Sequence, residues 1–256
     1  MPFEVTELQL SLGGKPVLQD LSFSLPERGI TGIIGANGSG KTTLLRALAG
    51  VIAPERGLIS HEGVDISGLA PKARARAIAM LPQTGQAPPG LTVRQLVGRG
   101  RTPWLRPFLP MSREDHAAVD QALSAVGLRA LEAEAVDRLS GGQRQRAWIA
   151  LVLAQQSRTI LLDEPLNFLD LPHQAELVQL LRQLRRERSV VMILHDLTIA
   201  ARLCDHVLAL QGGRLVAAGP ARDVLTPESL EKTFGIAFTV ASLGPAQAPV
   251  VLPQAL

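Results

Sequence analysis

The chain has 256 residues, a formal net charge of +3, 46% hydrophobic and 19% charged residues. That balance excludes a disordered chain, and the longest purely apolar run, Ala147 to Ala154, falls far short of the ~20 residues that cross a bilayer. The modest charge is spread out, which argues against a nucleic-acid surface.

Met1-Pro2-Phe3-Glu4 has no basic flank and no apolar stretch behind it, so no signal peptide is expected and the chain is expected in the cytoplasm. Leu8, Leu10 and Leu12 alternate with polar residues, as do Leu21, Phe23 and Leu25. Both runs predict half-buried strands, antiparallel across a turn at Gly13-Gly14. Ile30 to Ile34 is a short apolar run that enters a glycine-rich loop, and Lys41 to Ala49 predicts a helix stopped by Gly50. Gly57 to Ser60 and Ala77 to Leu81 are weaker strand candidates.

From about residue 84 to 156 the texture predicts a helical subdomain inserted in the core. Prolines punctuate its first half, and Ser112 with Asp115 forms a capping box ahead of Val119, Ala122, Leu123 and Val126. Thr159 to Leu162 and Val190 to Leu194 are near-continuous apolar runs of the kind found in buried parallel sheets. Leu177, Leu180, Leu181 and Leu184 form a helix stripe, and Arg182, Arg185, Arg186 and Arg188 are expected on that helix's solvated face. Val207 to Leu210 and Arg214 to Ala218, joined by Gly212-Gly213, predict a hairpin. The tail from 244 to 256 carries no clear signal. The lone Cys204 is expected to be a small buried residue, and His61, His116, His173 and His206 show no metal-ligand spacing and are expected at the surface. The whole is an α/β pattern: a parallel sheet with helices, N-terminal antiparallel strands and a helical insertion, as one domain over 1–243.

Three strings carry chemistry. Gly35-Ala36-Asn37-Gly38-Ser39-Gly40-Lys41-Thr42, followed by Thr43, fits a phosphate-binding loop. Glycines let backbone N–H groups approach a triphosphate, and the helix that follows favours an anion at its N-terminus. Lys41 would reach the β- and γ-phosphates and the Thr42 hydroxyl would join a Mg²⁺ shell. Asp163 and Glu164 end the Thr159–Leu162 run at what would be the carboxyl edge of the sheet. Asp163 would hold Mg²⁺ and Glu164 would act as general base on water; taken alone, the pair could also be a solvated strand end. Ser140-Gly141-Gly142-Gln143 opens a second helix as another anion-binding corner, although such a turn is common in loops.

In this order and spacing the strings resemble the nucleotide-binding domain of ABC transporters, over residues 2 to 240 and with a phosphate-loop NTPase core. Leu139 to Gln143 is similar to the ABC signature, Ile160 to Glu164 to the second Walker motif, Leu81-Pro82-Gln83 to the Q-loop, and Asn167-Phe168-Leu169-Asp170 to the D-loop. His195 matches the switch histidine near the γ-phosphate. The resemblance implies an ATPase with Mg²⁺ at Thr42, Gln83 and Asp163, and catalytic roles for Glu164, His195 and Gln83. It implies a head-to-tail homodimer, with ATP between one chain's phosphate loop and the other's Ser140, Gly141, Gly142 and Gln143, and Asp170 at the dimer contact. Where the family places an aromatic residue against adenine, this chain has Leu12, and it has no tyrosine.

The runs Val97 to Trp104 and Leu166 to His173 are similar to importer ATPases for iron-siderophores, haem and cobalamin. This implies membrane permease subunits, a periplasmic or lipid-anchored solute-binding protein, and a place at the cytoplasmic face of a bacterial inner membrane. Trp104, Leu105 and Phe108 would form a docking rim for the permease. Another transport system and a soluble, non-transport ABC ATPase are the alternative functions. A small-molecule kinase is a third, and the intact signature argues against it.

Overall fold

The computed structural model describes residues 3–82, 87–167, 169–241 and 249–254. The chain divides into two compact units. One comprises the chain up to Leu69 together with the chain from Leu184 onward; the other is Ala70–Gln183.

In the first unit β1 (Phe3–Leu12) and β2 (Lys15–Leu25) form the expected antiparallel hairpin across Gly13-Gly14. Leu8, Leu10, Leu21, Phe23 and Leu25 face inward, whereas Leu12, at the tip, is 45% exposed. Next come β3 (Gly29–Gly35), buried throughout, α1 (Lys41–Leu48), β4 (Arg56–His61) and the two-residue β5 (Val64–Asp65). β4 pairs antiparallel with β1 and β5 with β4, so a four-stranded sheet runs β2-β1-β4-β5. The β1–β4 pairing brings His61 opposite Phe3, where its ring packs edge-on at 4.9 Å. His61 is therefore buried, not at the surface as its polarity suggests.

The second unit opens with α2 (Pro71–Ala77) and β6 (Ile78–Leu81), then α3 (Val93–Gly98), α4 (Arg113–Ala125) and α5 (Gly141–Ala154). α4 starts on the expected capping box: Asp115 N–H donates to Ser112 Oγ and Ser112 N–H to the Asp115 carboxylate. Behind it Arg101, 4% exposed, donates to Asp115 Oδ1 at 2.8 Å, to the Ala154 carbonyl at 2.8 Å and to Gln156 Oε1 at 2.9 Å. Burial pushes the Asp115 carboxyl up, but the bonds from Arg101 and Ser112 outweigh it and hold the carboxyl below its ordinary range. β7 (Thr159–Leu162) lies parallel to β6, in register from Ile78↔Thr159 to Leu81↔Leu162. α6 (Leu171–Leu184) leads out of this unit. Of its predicted stripe, Leu177 and Leu181 are buried, while Leu180 and Leu184 are half-covered. Only Arg182 of the arginine cluster lies on α6. The helix stops at Leu184, and Arg185, Arg186 and Arg188 occupy the turn beyond, where burial lowers the Arg188 pKa.

The chain re-enters the first unit with β8 (Ser189–Ile193), α7 (Leu197–Leu203), β9 (His206–Gln211) and β10 (Arg214–Pro220). β3 is parallel to β8 on one side and to β9 on the other, and β10 closes the predicted hairpin with β9. Cys204 is buried as expected, and burial pushes its thiol up to about 12. His206 is half-buried and its pKa is lowered by burial, so it too departs from the surface expectation. α8 (Ala221–Val224) and α9 (Pro227–Phe234, capped by Thr226) precede β11 (Phe238–Ala241). The tail does carry structure: β12 (Val250–Pro253) pairs antiparallel with β11, and Val251 N–H donates to Thr198 Oγ1 on α7 at 3.2 Å. Residues 244–248, 255 and 256 of that tail lie outside the described residues.

Candidate functional site

In the first unit the predicted phosphate loop leaves β3 and ends at the start of α1. Gly35, Gly38 and Gly40 have φ of +148°, +78° and +99°, a region that L side chains rarely occupy. A Cβ on Gly35 would run into the Leu210 carbonyl oxygen and the Ser39 hydroxyl, and one on Gly40 would lie 2.8 Å from Leu18 Cδ2 and 3.1 Å from the Val17 carbonyl. Glycine is thus required by packing as well as by backbone angle. Ser39 N–H donates to the Ala36 carbonyl at 3.2 Å, and Gly213 N–H donates to the Ser39 carbonyl at 3.1 Å. The tight β9–β10 turn therefore buttresses the loop. This role of Gly213 depends on a contact far along the chain, and no local pattern announces it.

Asn37 and Gly38 are exposed, Thr42 and Thr43 half-exposed, and Lys41 is 6% exposed. The Lys41 ammonium donates to the Gly35 carbonyl at 2.7 Å and the Ala36 carbonyl at 2.9 Å, folded back over its own loop. Ser39 Oγ is buried with no protein hydrogen-bond partner, and α1 begins at Gly40 with no side-chain cap. A bare helix start behind a glycine loop with a buried ammonium can take up a multiply charged anion.

His195 is exposed, two residues past the end of β8. Leu194 N–H donates to the Ile33 carbonyl at 3.2 Å, and Ile33 pairs with Ile193, so His195 leaves β8 at the same sheet edge as the phosphate loop. The hairpin that bears Leu12 leans on that loop through Val17 and Leu18.

In the second unit Asp163 stands at the carboxyl end of β7, 1% exposed, and its N–H donates to the Leu81 carbonyl at 3.0 Å. Glu164 follows at φ +53°, a strained conformation for a residue with a Cβ, costing on the order of 1 kcal/mol. Asn167 Nδ2 donates to Glu164 Oε2 at 2.5 Å. Ser140 caps α5: its hydroxyl accepts from Gln143 N–H at 3.2 Å, and Gln143 Oε1 accepts from Ser140 N–H at 3.0 Å. A hydroxyl that accepts retains its own O–H as a donor. Asp170 precedes α6 and accepts from the His173 N–H at 3.2 Å and from the His173 ring. Burial pushes the Asp170 carboxyl up, and these bonds from His173 bring it below its ordinary range. Gln83 and Phe168 lie outside the described residues. The predicted docking rim divides. Phe108 is exposed, but Leu105 and Trp104 are half-buried, the Trp104 Nε1 donating to the Gln155 carbonyl at 2.8 Å and its ring stacked against Arg76 and Arg101. Trp104 packs within its own unit because two guanidinium groups and a carbonyl satisfy it there.

Comparison with known proteins places these features. A family model described as "ABC transporter" matches residues 18–167. The chain is 41% identical over 249 residues, 96% of its length and 92% of the relative's, to the ferric enterobactin transport ATP-binding protein FepC of Escherichia coli (strain K12). It is 40% identical over 232 residues, 90% of its length and 86% of the relative's, to the iron(3+)-hydroxamate import ATP-binding protein FhuC of Bacillus subtilis (strain 168). Among solved structures, a metal-chelate type ABC transporter in an inward-facing conformation superposes with a TM-score of 0.86 at 28% identity, covering 98% of this chain and 97% of that one. No helix among the described residues is long and apolar enough to cross a membrane. With the phosphate loop, the strand-end carboxylates and the Ser140 corner all inside that full-length similarity, the chain belongs to the ABC transporter family, as one of its ATP-binding, ATP-hydrolysing subunits.

Proposed function

We propose that this chain energises import of a metal chelate (an iron-siderophore, haem or cobalamin) through partner membrane subunits. The observation that carries the cargo class is similarity over most of both chains to proteins named for transport of ferric enterobactin and import of iron(3+)-hydroxamate. The chain works at the cytoplasmic face of a bacterial inner membrane, held there by its permease, and receives solute from a periplasmic or lipid-anchored binding protein.

ATP binds on the loop from Gly35 to Thr43. Lys41 exchanges its bonds to the Gly35 and Ala36 carbonyls for the phosphates. The exposed Leu12 covers one face of the base by apolar contact. The Thr42 hydroxyl and the Asp163 carboxylate are hard oxygen donors of the kind Mg²⁺ takes, and Gln83 is a third by resemblance. These side chains would hold Mg²⁺ together with the nucleotide. Mg²⁺ supplies neutralisation of the phosphate charge. Glu164, held by Asn167, takes the proton of the attacking water, and His195 donates to the γ-phosphate. A second copy contributes Ser140 to Gln143 across the interface, with Asp170 at the contact.

Deleting the gene in a strain without a redundant importer, with iron supplied only as chelate, is expected to cut growth and labelled-chelate uptake, and Glu164→Gln should not restore them. Undiminished uptake of iron chelates, haem and cobalamin would rule out this cargo class and leave the ATPase standing.

A further inference from the structure

We infer that His173 is a positioning residue that ties the loop carrying Glu164 and Asp170 to the start of the signature helix α5, so that nucleotide engaged at Ser140–Gln143 is felt at Glu164 of the same chain. This rests on the ATP-site reading above. The links all lie within the second unit. Glu164 accepts from Asn167. Three residues on, Asp170 takes both the backbone N–H and the ring of His173. The Nδ1 edge of that ring also faces Gly142: a Cβ there would sit 3.1 Å from His173 Nδ1 and 3.4 Å from Cγ. Gly142 therefore lacks a side chain where the imidazole must fit.

Three further bonds brace the same bodies. Gln145 Nε2, on α5, donates to the Pro165 carbonyl at 3.3 Å, and Gln174 Nε2, next to His173, donates to the Leu166 and Leu169 carbonyls at 3.3 and 3.2 Å. Farther along, Arg146 of α5 pairs with Glu176 of α6 at 3.0 Å. The braces hold the helices and the loop. Among the residues joined here, the His173 ring alone touches the signature glycine and the Asp170 carboxylate together. In a head-to-tail dimer the signature serves the partner's ATP while Glu164 serves its own. A rigid link between them makes each site's geometry depend on the other's occupancy.

His173→Ala and His173→Asn test this in the full-length protein, with Lys41→Ala alongside. A misplaced base of this kind costs about tenfold or more in kcat, and that loss is expected for His173→Ala. Binding of a fluorescent ATP analogue should be unchanged, because the phosphate loop is in the other unit. His173→Asn, which offers an amide donor where Nδ1 stands, should recover most of kcat. If His173→Ala does not fold, His173→Phe replaces it: it keeps a ring over Gly142, cannot donate to Asp170, and should show the same loss. Wild-type kcat in His173→Ala or His173→Phe overturns the link, as does a His173→Asn no better than the alanine variant. Hydrolysis surviving in Lys41→Ala would instead overturn the ATP-site reading beneath it.

Discussion

Lys41 carries the charge of the loop at the residue scale. Its ammonium, nearly buried, donates to two backbone carbonyls. A buried ammonium needs such partners, and a triphosphate is the stronger one when present. Lys41→Ala removes the charge and leaves the Gly35 and Ala36 carbonyls short of a donor. Hydrolysis is expected to fall at least about a hundredfold, as when a single transition-state donor is lost. Stability should fall by only about 1–3 kcal/mol, so urea unfolding should remain cooperative. Wild-type turnover in the folded variant would remove this loop from the active site. Glu164 is different in kind: its place at a strand end was readable in the sequence, but its positive φ and its bond from Asn167 come only from the turn that follows.

At the level of elements, the helical segment is held by an ion pair that no local pattern shows. Arg101 and Asp115 both lie inside, on a 3-10 turn and on α4, and the same guanidinium also satisfies the end of α5 at the Ala154 carbonyl. Removing one partner of a buried pair leaves an uncompensated charge, so Arg101→Met is expected to cost about 3–5 kcal/mol at neutral pH. The sign with pH follows from Asp115, whose folded pKa lies below the ordinary value of 3.8. Its contribution is complete above that value and is lost as pH falls through the lower folded pKa. The penalty of Arg101→Met should therefore shrink when urea midpoints are compared at neutral and at acid pH, since a protonated Asp115 no longer needs the arginine. A penalty unchanged with pH would mean that the pair contributes only packing.

At the scale of the whole molecule, each chain carries one phosphate loop and one signature, so the functional unit is expected to be larger than the chain. Glu164→Gln keeps the shape of the side chain and removes its basicity. With ATP and Mg²⁺ the variant should accumulate as a dimer in light scattering, by a shift much larger than in the wild type, because ATP binds at the interface and is not consumed. Adding Ser140→Arg should abolish the shift by placing bulk and charge at the partner's phosphate corner. A Glu164→Gln protein that stays monomeric with saturating ATP would count against composite sites.

The α/β order, the phosphate loop, the strand-end carboxylates, the capping box at Ser112 and the hairpin turns were legible in the sequence by itself. Each depends on short-range chemistry: glycines at positive φ, a hydroxyl three residues before its partner, apolar runs ending in charge. Tertiary structure alone decided the burial of His61 against Phe3, the pairing of β12 with β11 from an unpatterned tail, and the packing of Trp104 between two arginines. It also decided the end of α6 within the arginine cluster, the support of the phosphate loop by Gly213, and the seat of His173 on Gly142. In most of these the partners are far apart in the chain, so no periodicity records them. What sets them is which polar groups find donors and acceptors once the apolar faces have closed.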